Sequence, residues 1–198
     1  METLSQIAEY IVVRLTTDDE VKGLLELFAD IADEQSWQPG DYLNSHPTGS
    51  IHFALCADGH LVGGLQLVMP DEAGTLPCQH VWPEITIPEA SAHVTILGLK
   101  AEHRGNVALF WTLCQELWCY CTDRKIKSLV LEATPHMSVL YRRMGLPLYM
   151  IGEERVHWGE PCVLAAVDII TAAGSVVLRA RRSDVFKQLV YNSLPQSA

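Results

Sequence analysis

Two hydrophobic periods alternate along this chain, and each predicts one kind of element. Short runs of apolar and β-branched residues are typical of strands, and they cover residues 10–15, 51–57, 61–69, 92–99, 127–133, 149–153 and 162–169. Apolar residues spaced three or four apart predict helices over residues 18–34, 106–121, 135–144 and 175–192. We therefore expect an α/β (α+β) fold in which a mixed sheet carries helices on both faces.

Turn-forming residues separate these segments. Asp58-Gly59-His60 stands between two predicted strands and is a strong hairpin signal. Thr134-Pro135 predicts the start of a helix, and Gly145 predicts its left-handed end. Residues 36–50 are rich in Pro, Gly, Asn and Asp, and a loop of this length is often a lid or a binding loop.

Composition and charge narrow the class of protein. No interdomain linker is visible, so a single domain is predicted over residues 1–198, with a core at about 10–170 and a C-terminal helical extension at 171–198. The net charge of −10 argues against nucleic acid as a partner. No apolar run reaches the roughly 18 residues of a membrane span, and residues 1–10 lack a positive secretory region. A cytoplasmic location is expected.

The six cysteines do not indicate a disulfide framework or a metal site. They stand at positions 56, 78, 114, 119, 121 and 162, with irregular spacing. Cys119 and Cys121 fall on different faces of one predicted helix. Neither fact fits a zinc site or a set of disulfides, so reduced core cysteines and no metal are predicted.

The stretch from residue 92 to residue 121 carries the first candidate chemistry. A buried strand leads through a short polar loop directly into a long apolar helix. Backbone N–H groups at such a helix start suit phosphate oxygens, and Arg104 is placed to pair with one while the amides of Gly105 to Ala108 donate. The alternative is an ordinary connection with a surface arginine.

Two sequences within this part of the chain, LGLKAEHRGNVALFWTLCQEL and TPHMSVLYRRMGL, resemble the GNAT acyltransferase superfamily. The resemblance implies a single GNAT-like domain with a mostly antiparallel central sheet. It also implies an acyl thioester of phosphopantetheine as substrate, carried by coenzyme A or by acyl carrier protein. The donor-binding residues implied are Leu97, Leu99, Arg104, Gly105, Asn106, Val107 and Ala108.

The same resemblance assigns a catalytic tyrosine. Leu140-Tyr141 and Gly145-Leu146 match the family's later helix, in which a tyrosine lies near the leaving thiol, while His136 replaces its asparagine. Tyr141 is thus the candidate general acid. The alternative is a half-buried tyrosine that packs this helix against the sheet.

The loop departs from the usual pattern of the superfamily. Glu102 stands where Gln or Arg is usual, and Val107 stands where a second small residue would be. A branched side chain restricts the approach of the backbone to a diphosphate. These departures predict a donor held largely by its acyl chain and pantetheine arm.

The middle of the chain is similar to one branch, the acyl-homoserine-lactone (autoinducer) synthases and long-chain N-acyl amino acid synthases. The matching residues are Gly64, Leu67, Pro70 and Trp82-Pro83-Glu84, and Trp37 with Asp41 is similar to that branch's N-terminal lid. Gln66 stands where the branch has Arg, and His93 and Ile96 stand where lactone synthases have Glu and Arg. The resemblance implies a relative that joins a fatty acyl group to a different small amine.

His93 is the candidate base or substrate-orienting group. Strand alternation predicts that His93, Thr95 and Leu97 share one face of the sheet, and an imidazole suits proton transfer near neutral pH. A histidine satisfied by a neighbour is the alternative.

The sequence also contains candidate residues for the entrance to the donor site and for the acyl-binding site. A basic entrance for an acidic carrier protein is predicted from Lys100, His103, Arg104, Arg142 and Arg143. The apolar side chains of the long helix that are predicted to be core, with some lining an acyl tunnel, are Phe110, Trp111, Leu113 and Trp118.

Three functions are compatible with these residues. The first is an N-acyltransferase of the autoinducer-synthase-like branch. The second is an acetyl-CoA-dependent N-acetyltransferase, and the third is a GNAT-fold protein that binds acyl groups or CoA without catalysis. A deep apolar tunnel between the fourth and fifth strands would favour a fatty acyl donor, and a shallow slot would favour acetyl.

Overall fold

The structure is a computed structural model and describes residues 10–38 and 49–180. Its strands are β1 (Tyr10–Arg14), β2 (Ser50–Ala57), β3 (His60–Val68), β4 (Ser91–Leu99), β5 (Ser128–Ala133), β6 (Tyr149–Met150), β7 (Arg155–His157) and β8 (Glu160–Asp168). Its helices are α1 (Asp18–Gln35), α2 (Val107–Asp123), α3 (Pro135–Met144) and α4 (Ile169–Ala180), with short 3-10 helices at Pro77–His80 and Ala101–His103.

The strands form one mostly antiparallel sheet in the order β1-β2-β3-β4-β5-β8-β6, with β7 paired to β8. Every pairing is antiparallel except that of β4 with β5, which is parallel. Helix α1 covers one face through Leu24, Phe28 and Ile31, whereas α2 and α4 pack on the other. The predicted fold class is therefore confirmed.

The centre of the sheet opens where β4 and β5 separate. Their pairing is limited to Ser91–Val94 with Ser128–Leu131. Beyond Val94, β4 continues beside β3 as far as Leu99, while β5 continues beside β8 as far as Ala133. The ends of the two strands therefore diverge and leave an opening through the sheet.

A β-bulge in β4 reverses the direction of its side chains. Gln66 pairs with Ile96 and Leu67 pairs with Val94, so Thr95 is the extra residue. Leu97 consequently packs in the core with α2. His93 lies on the opposite face, because its partner Val130 belongs to the cluster around Trp82. The prediction that His93 and Leu97 share a face is wrong, since the bulge interrupts the alternation on which it rested.

Local signals place most helix and turn boundaries. Asp58 and Gly59 both have positive φ in the predicted hairpin. Thr134 caps α3 by accepting a hydrogen bond from the Met137 amide (3.1 Å), and Gly145 ends α3 with φ 109°. Within the described residues, no helix has the length and hydropathy that a membrane span requires.

The last third of the chain departs from prediction in its boundaries. Strand β7 was missed, because residues 155–157 form a hairpin with β8 where a turn was expected. Strand β6 has two residues where five were expected, and α4 begins at Ile169, six residues before its predicted start. Residues 181–192 of the predicted last helix, and most of the predicted loop at 36–50, lie outside the described residues. A single domain over residues 1–198 stays a prediction.

The cysteines are all free. Cys119 is exposed and Cys121 is buried, which confirms that they lie on different faces of α2. Cys78, Cys114 and Cys162 are also buried.

Candidate functional site

A cavity of about 570 Å³ passes through the opening between β4 and β5. Its volume is within the range of small-molecule sites, roughly 300–1,000 Å³. Helices α2 and α3, the segment that follows α3 and the adjacent sheet face line one part with apolar side chains, which are Phe110, Cys114, Leu117, Trp118, Leu129, Leu131, Met137, Leu140, Met144, Leu146, Leu148 and Val167. We call this part the apolar side.

The rest of the cavity lies on the face covered by α1, and we call it the polar side. Its lining includes Trp37, Thr95, Glu132, Trp158 and Glu160. The rings of Trp37 and Trp158 meet edge to face, with centroids 6.1 Å apart. The cavity therefore joins an apolar space on one face of the sheet to an acidic, aromatic space on the other.

The start of α2 lies at the rim of this cavity. Gly105 has φ 78°, and the Asn106 side chain caps the helix by accepting a hydrogen bond from the Ala108 amide (3.1 Å). The Asn106 amide has the His103 carbonyl as a distant acceptor (3.4 Å). Among the described residues, the amides of Gly105 and Val107 have no acceptor. Two of the four predicted donor amides are thus available to an anion.

Arg104 makes a bidentate ion pair instead of presenting a free guanidinium. Its Nη1 and Nη2 atoms donate to the two Glu34 carboxylate oxygens at 2.7 and 2.8 Å, and its Nε donates to the Leu99 carbonyl at 2.9 Å. The hydrogen bonds from Arg104 lower the pKa of Glu34. Phosphate binding by Arg104 stays a prediction, and it requires the guanidinium to exchange a carboxylate for a phosphate.

Tyr141 reaches the apolar side from α3. Its ring stacks on that of Phe110, with centroids 5.6 Å apart and an interplanar angle of 20°. Burial, with a smaller contribution from Cys114, raises the pKa of the Tyr141 phenol to about 12. The hydroxyl group therefore keeps its proton at neutral pH and can donate it in a hydrogen bond. Its role as general acid stays a prediction.

His93 does not line the cavity but lies behind a residue that does. The His93 ring is completely buried, and its Nε2 atom is 2.7 Å from Oε2 of Glu132. With Glu132 ionised, Nε2 carries the proton and donates it to the carboxylate. The structure thus places His93 where it orients Glu132, and direct contact of His93 with a substrate stays a prediction.

Glu132 is a candidate functional residue that sequence reasoning missed. Its side chain is 6% exposed and lines the polar side. Its Oε1 atom has no hydrogen-bond partner among the described residues, and Nε2 of His157 lies 3.9 Å away. Burial lowers the pKa of His157. The signal was a single acid within the apolar run of residues 128–133, SLVLEA, because a buried carboxylate is rare without a partner or a function.

The remaining predicted site residues divide between the cavity and its surroundings. Those that line the cavity are Leu97, Leu99, Arg104, Gly105, Asn106, Val107, Phe110 and Trp118. Those that do not are Lys100, His103, Ala108, Trp111, Leu113, Arg142 and Arg143. Trp111 and Leu113 belong to the core, as predicted. The predicted basic entrance therefore contributes only Arg104 to the described lining of the cavity.

The sheet order, the bulged β4 and the single parallel pair at the opening belong to a GNAT-like fold. FeeM, an N-acyl amino acid synthase from uncultured soil microbes, has the same fold, with a TM-score of 0.71 and 14% identity over 85% of this chain and 96% of FeeM. The acyl-homoserine-lactone synthase LasI matches with a TM-score of 0.67 and 15% identity, over 85% of this chain and 96% of its own.

A third structural neighbour has ligands bound. The CoA-dependent acyl-homoserine-lactone synthase BjaI, in a complex with SAM and isopentyl-CoA, matches with a TM-score of 0.61 and 13% identity, over 81% of this chain and 84% of its own. By sequence, no protein-family model and no curated protein matches this chain. The likeness therefore establishes the fold.

Proposed function

We propose that this protein is an N-acyltransferase, which moves an acyl group from an acyl thioester to a small amine. The donor is a phosphopantetheine thioester, on coenzyme A or on acyl carrier protein. The observation that carries the proposal is the cavity through the sheet, which joins an apolar space beside Tyr141 to the buried carboxylate of Glu132. Solved acyltransferases with the same fold support it.

The apolar side supports a fatty acyl chain over acetyl. Its lining extends from Tyr141 at the surface of α3 to Leu117, Leu129 and Val167, which are buried between α2 and the sheet. Burying one methylene contributes about 0.8 kcal/mol, so a long acyl chain gains far more here than acetyl does. The available amides at Gly105 and Val107 support a phosphate of the pantetheine arm at the rim.

Glu132 and Tyr141 have complementary roles in the aminolysis of a thioester. The acceptor enters as an ammonium ion, and Glu132 takes one proton to free the nitrogen lone pair. The nitrogen attacks the thioester carbonyl, so that a C–N bond forms and the C–S bond breaks. Tyr141 donates a hydrogen bond to the departing thiolate, and the second proton of the nitrogen ends on the thiol. Glu132 releases the first proton to solvent, so the products are the amide, the thiol and one proton.

His93 acts through Glu132 in this scheme, as a positioning residue. Its hydrogen bond to Oε2 (2.7 Å) fixes the carboxylate, and Oε1 has no hydrogen-bond partner among the described residues. A buried carboxylate that accepts one hydrogen bond remains an acceptor for a further N–H group.

Product analysis tests the proposal. Purified protein is incubated with acyl-CoA or acyl carrier protein of several chain lengths and a pool of small amines, while thiol release is followed and products are identified by mass spectrometry. We expect thiol release coupled to amide formation, with chains longer than acetyl preferred. Release with acetyl alone would support the acetyltransferase alternative. Absence of release with every donor, despite donor binding, would support the non-catalytic alternative.

A further inference from the structure

We infer that the acceptor is a cationic amine that has no carboxylate next to its amino group. This inference rests on the proposed function, since it names the class of amine that the same site takes. It comes from the charges that face the cavity, together with one unpaired carboxylate oxygen.

The described lining of the cavity has an excess of negative charge. Its charged residues are Glu132, Glu160 and Arg104. Arg104 already has both Nη atoms on Glu34 and its Nε on a backbone carbonyl. Among the described residues that line the cavity, a carboxylate on the acceptor would therefore meet two glutamates and no free cation.

The buried oxygen of Glu132 requires a donor. The side chain is 6% exposed, Oε2 is bound by His93, and Oε1 has no hydrogen-bond partner among the described residues. An unpaired buried carboxylate oxygen is costly, and a charged N–H donor forms the strongest available hydrogen bond with it. Nε2 of His157, at 3.9 Å, is too far from Oε1 for a hydrogen bond. In this proposal an ammonium group that binds beside Glu132 supplies the donor, and its nitrogen lies near the opening between β4 and β5.

The aromatic lining fits the same class of molecule. Trp37 and Trp158 both face the polar side, with their rings edge to face. Indole faces attract cations and also bury apolar carbon. They favour an aryl or alkyl body behind the amino group.

The test compares amines with the amino acids that differ from them by one carboxylate. Tyramine is paired with tyrosine, histamine with histidine, and agmatine with arginine. Acylation is followed by thiol release and mass spectrometry, and acceptor binding is measured by calorimetry in the absence of donor. We expect kcat/KM for the preferred amine to exceed that for its amino acid by roughly 100-fold, and binding to differ in the same direction, because like charges repel.

Two variants connect the preference to the glutamates. Glu132→Gln should weaken binding of the amine at least roughly 10-fold, and Glu160→Gln should raise binding of the amino acid relative to its amine. The matched control is Glu154→Gln, at an exposed position outside the cavity, which should change neither. Circular dichroism and the melting temperature confirm that each variant is folded.

The outcomes separate this inference from the proposed function. Equal or better acylation of the amino acids would overturn the inference while leaving the acyltransferase function intact. Without any turnover, the function fails, and the binding measurements still decide the inference. Amines binding more tightly than amino acids would support it, and equal or reversed affinities would overturn it.

Discussion

The two sides of the cavity differ in how strongly the proposed function of each depends on a single residue. On the apolar side, at least a dozen side chains from α2, α3 and the sheet share the lining. On the polar side, one carboxylate held by one histidine occupies the opening. Burial energy accumulates in small amounts over many atoms, whereas a buried charge depends on the few groups that touch it. Substitutions on the apolar side should therefore reduce activity gradually, whereas substitutions on the polar side should cause large losses.

The largest effect is expected for Glu132→Gln. The amide cannot take a proton from the acceptor, so kcat should fall by roughly 10²–10⁴-fold at neutral pH. The shape of the side chain and its contact with His93 are retained, so the melting temperature should change little. His93→Asn should cost less, about 10-fold, because it disturbs only the position of the carboxylate. Steady-state kinetics with a long acyl donor measure both.

Glu154→Gln serves as the control for this comparison, because it makes the same chemical change at an exposed position. A loss of less than about 3-fold in Glu132→Gln, well below the usual contribution of a general base, would remove Glu132 from the mechanism. Substitutions on the polar side would then no longer have a larger effect on activity than substitutions on the apolar side.

Tyr141→Phe should give the next largest effect, a roughly 100-fold loss of kcat, because one preorganised donor to developing charge is removed. The stack on Phe110 is kept. Tyr120→Phe is the control, since Tyr120 packs against Phe53 away from the cavity. Activity lost equally in both variants would indicate a general structural effect and contradict a role for the Tyr141 hydroxyl group.

The same tyrosine should affect stability at high pH. Burial raises its pKa from 10.0 to about 12, so the folded state holds this proton more tightly than the unfolded state does. That contribution to stability is complete below pH 10 and is lost as the pH rises through 12. Unfolding in urea at pH 9 and pH 11.5 should therefore show a smaller decline for Tyr141→Phe than for the wild type. An equal decline would place the titrating group elsewhere.

A graded effect is expected on the apolar side. Cys114→Phe fills part of the lining beneath α2, and a donor that loses the burial of three methylenes should lose about 2.4 kcal/mol, or roughly 50-fold in kcat/KM. Shorter donors should be unaffected, so the preferred chain length becomes shorter. Cys119→Phe, on the exposed face of the same helix, is the matched control. A uniform loss at every chain length would mean that the acyl chain does not lie beside Cys114.

Periodicity predicted the apolar side well and the polar side poorly. The start of α2, the bounds of α3 and the burial of Leu113 follow from local signals, namely helix caps and a spacing of three or four residues. These signals are short in range, so a single sequence contains them. The lining of the apolar side needs only apolar residues on the correct faces of two helices.

The polar side depends on long-range geometry that a period cannot reveal. The bulge at Thr95 lies where β4 leaves β5 and continues beside β3, and it moves His93 and Leu97 to opposite faces. Arg104 was predicted to face a phosphate, yet Glu34, seventy residues earlier in the chain, occupies its guanidinium. Pairing over such distances is decided by the fold as a whole. Glu132 and His93 were both visible in the sequence, but their pairing was not.

The smallest effect is expected at the rim, where the Arg104–Glu34 pair joins the two sides. An exposed pair contributes about 0–1 kcal/mol, so Arg104→Ala and Glu34→Gln should each leave stability nearly unchanged. Their kinetics should differ in direction if Arg104 binds a phosphate. Freeing the guanidinium in Glu34→Gln should lower KM for acyl-CoA by about 2–5-fold, and Arg104→Ala should raise it by a similar factor. Titration of acyl-CoA at low and high salt measures both, because the phosphate contact weakens with ionic strength. If both variants raise KM together, the ion pair itself positions the start of α2, and Arg104 belongs to the scaffold of the donor site.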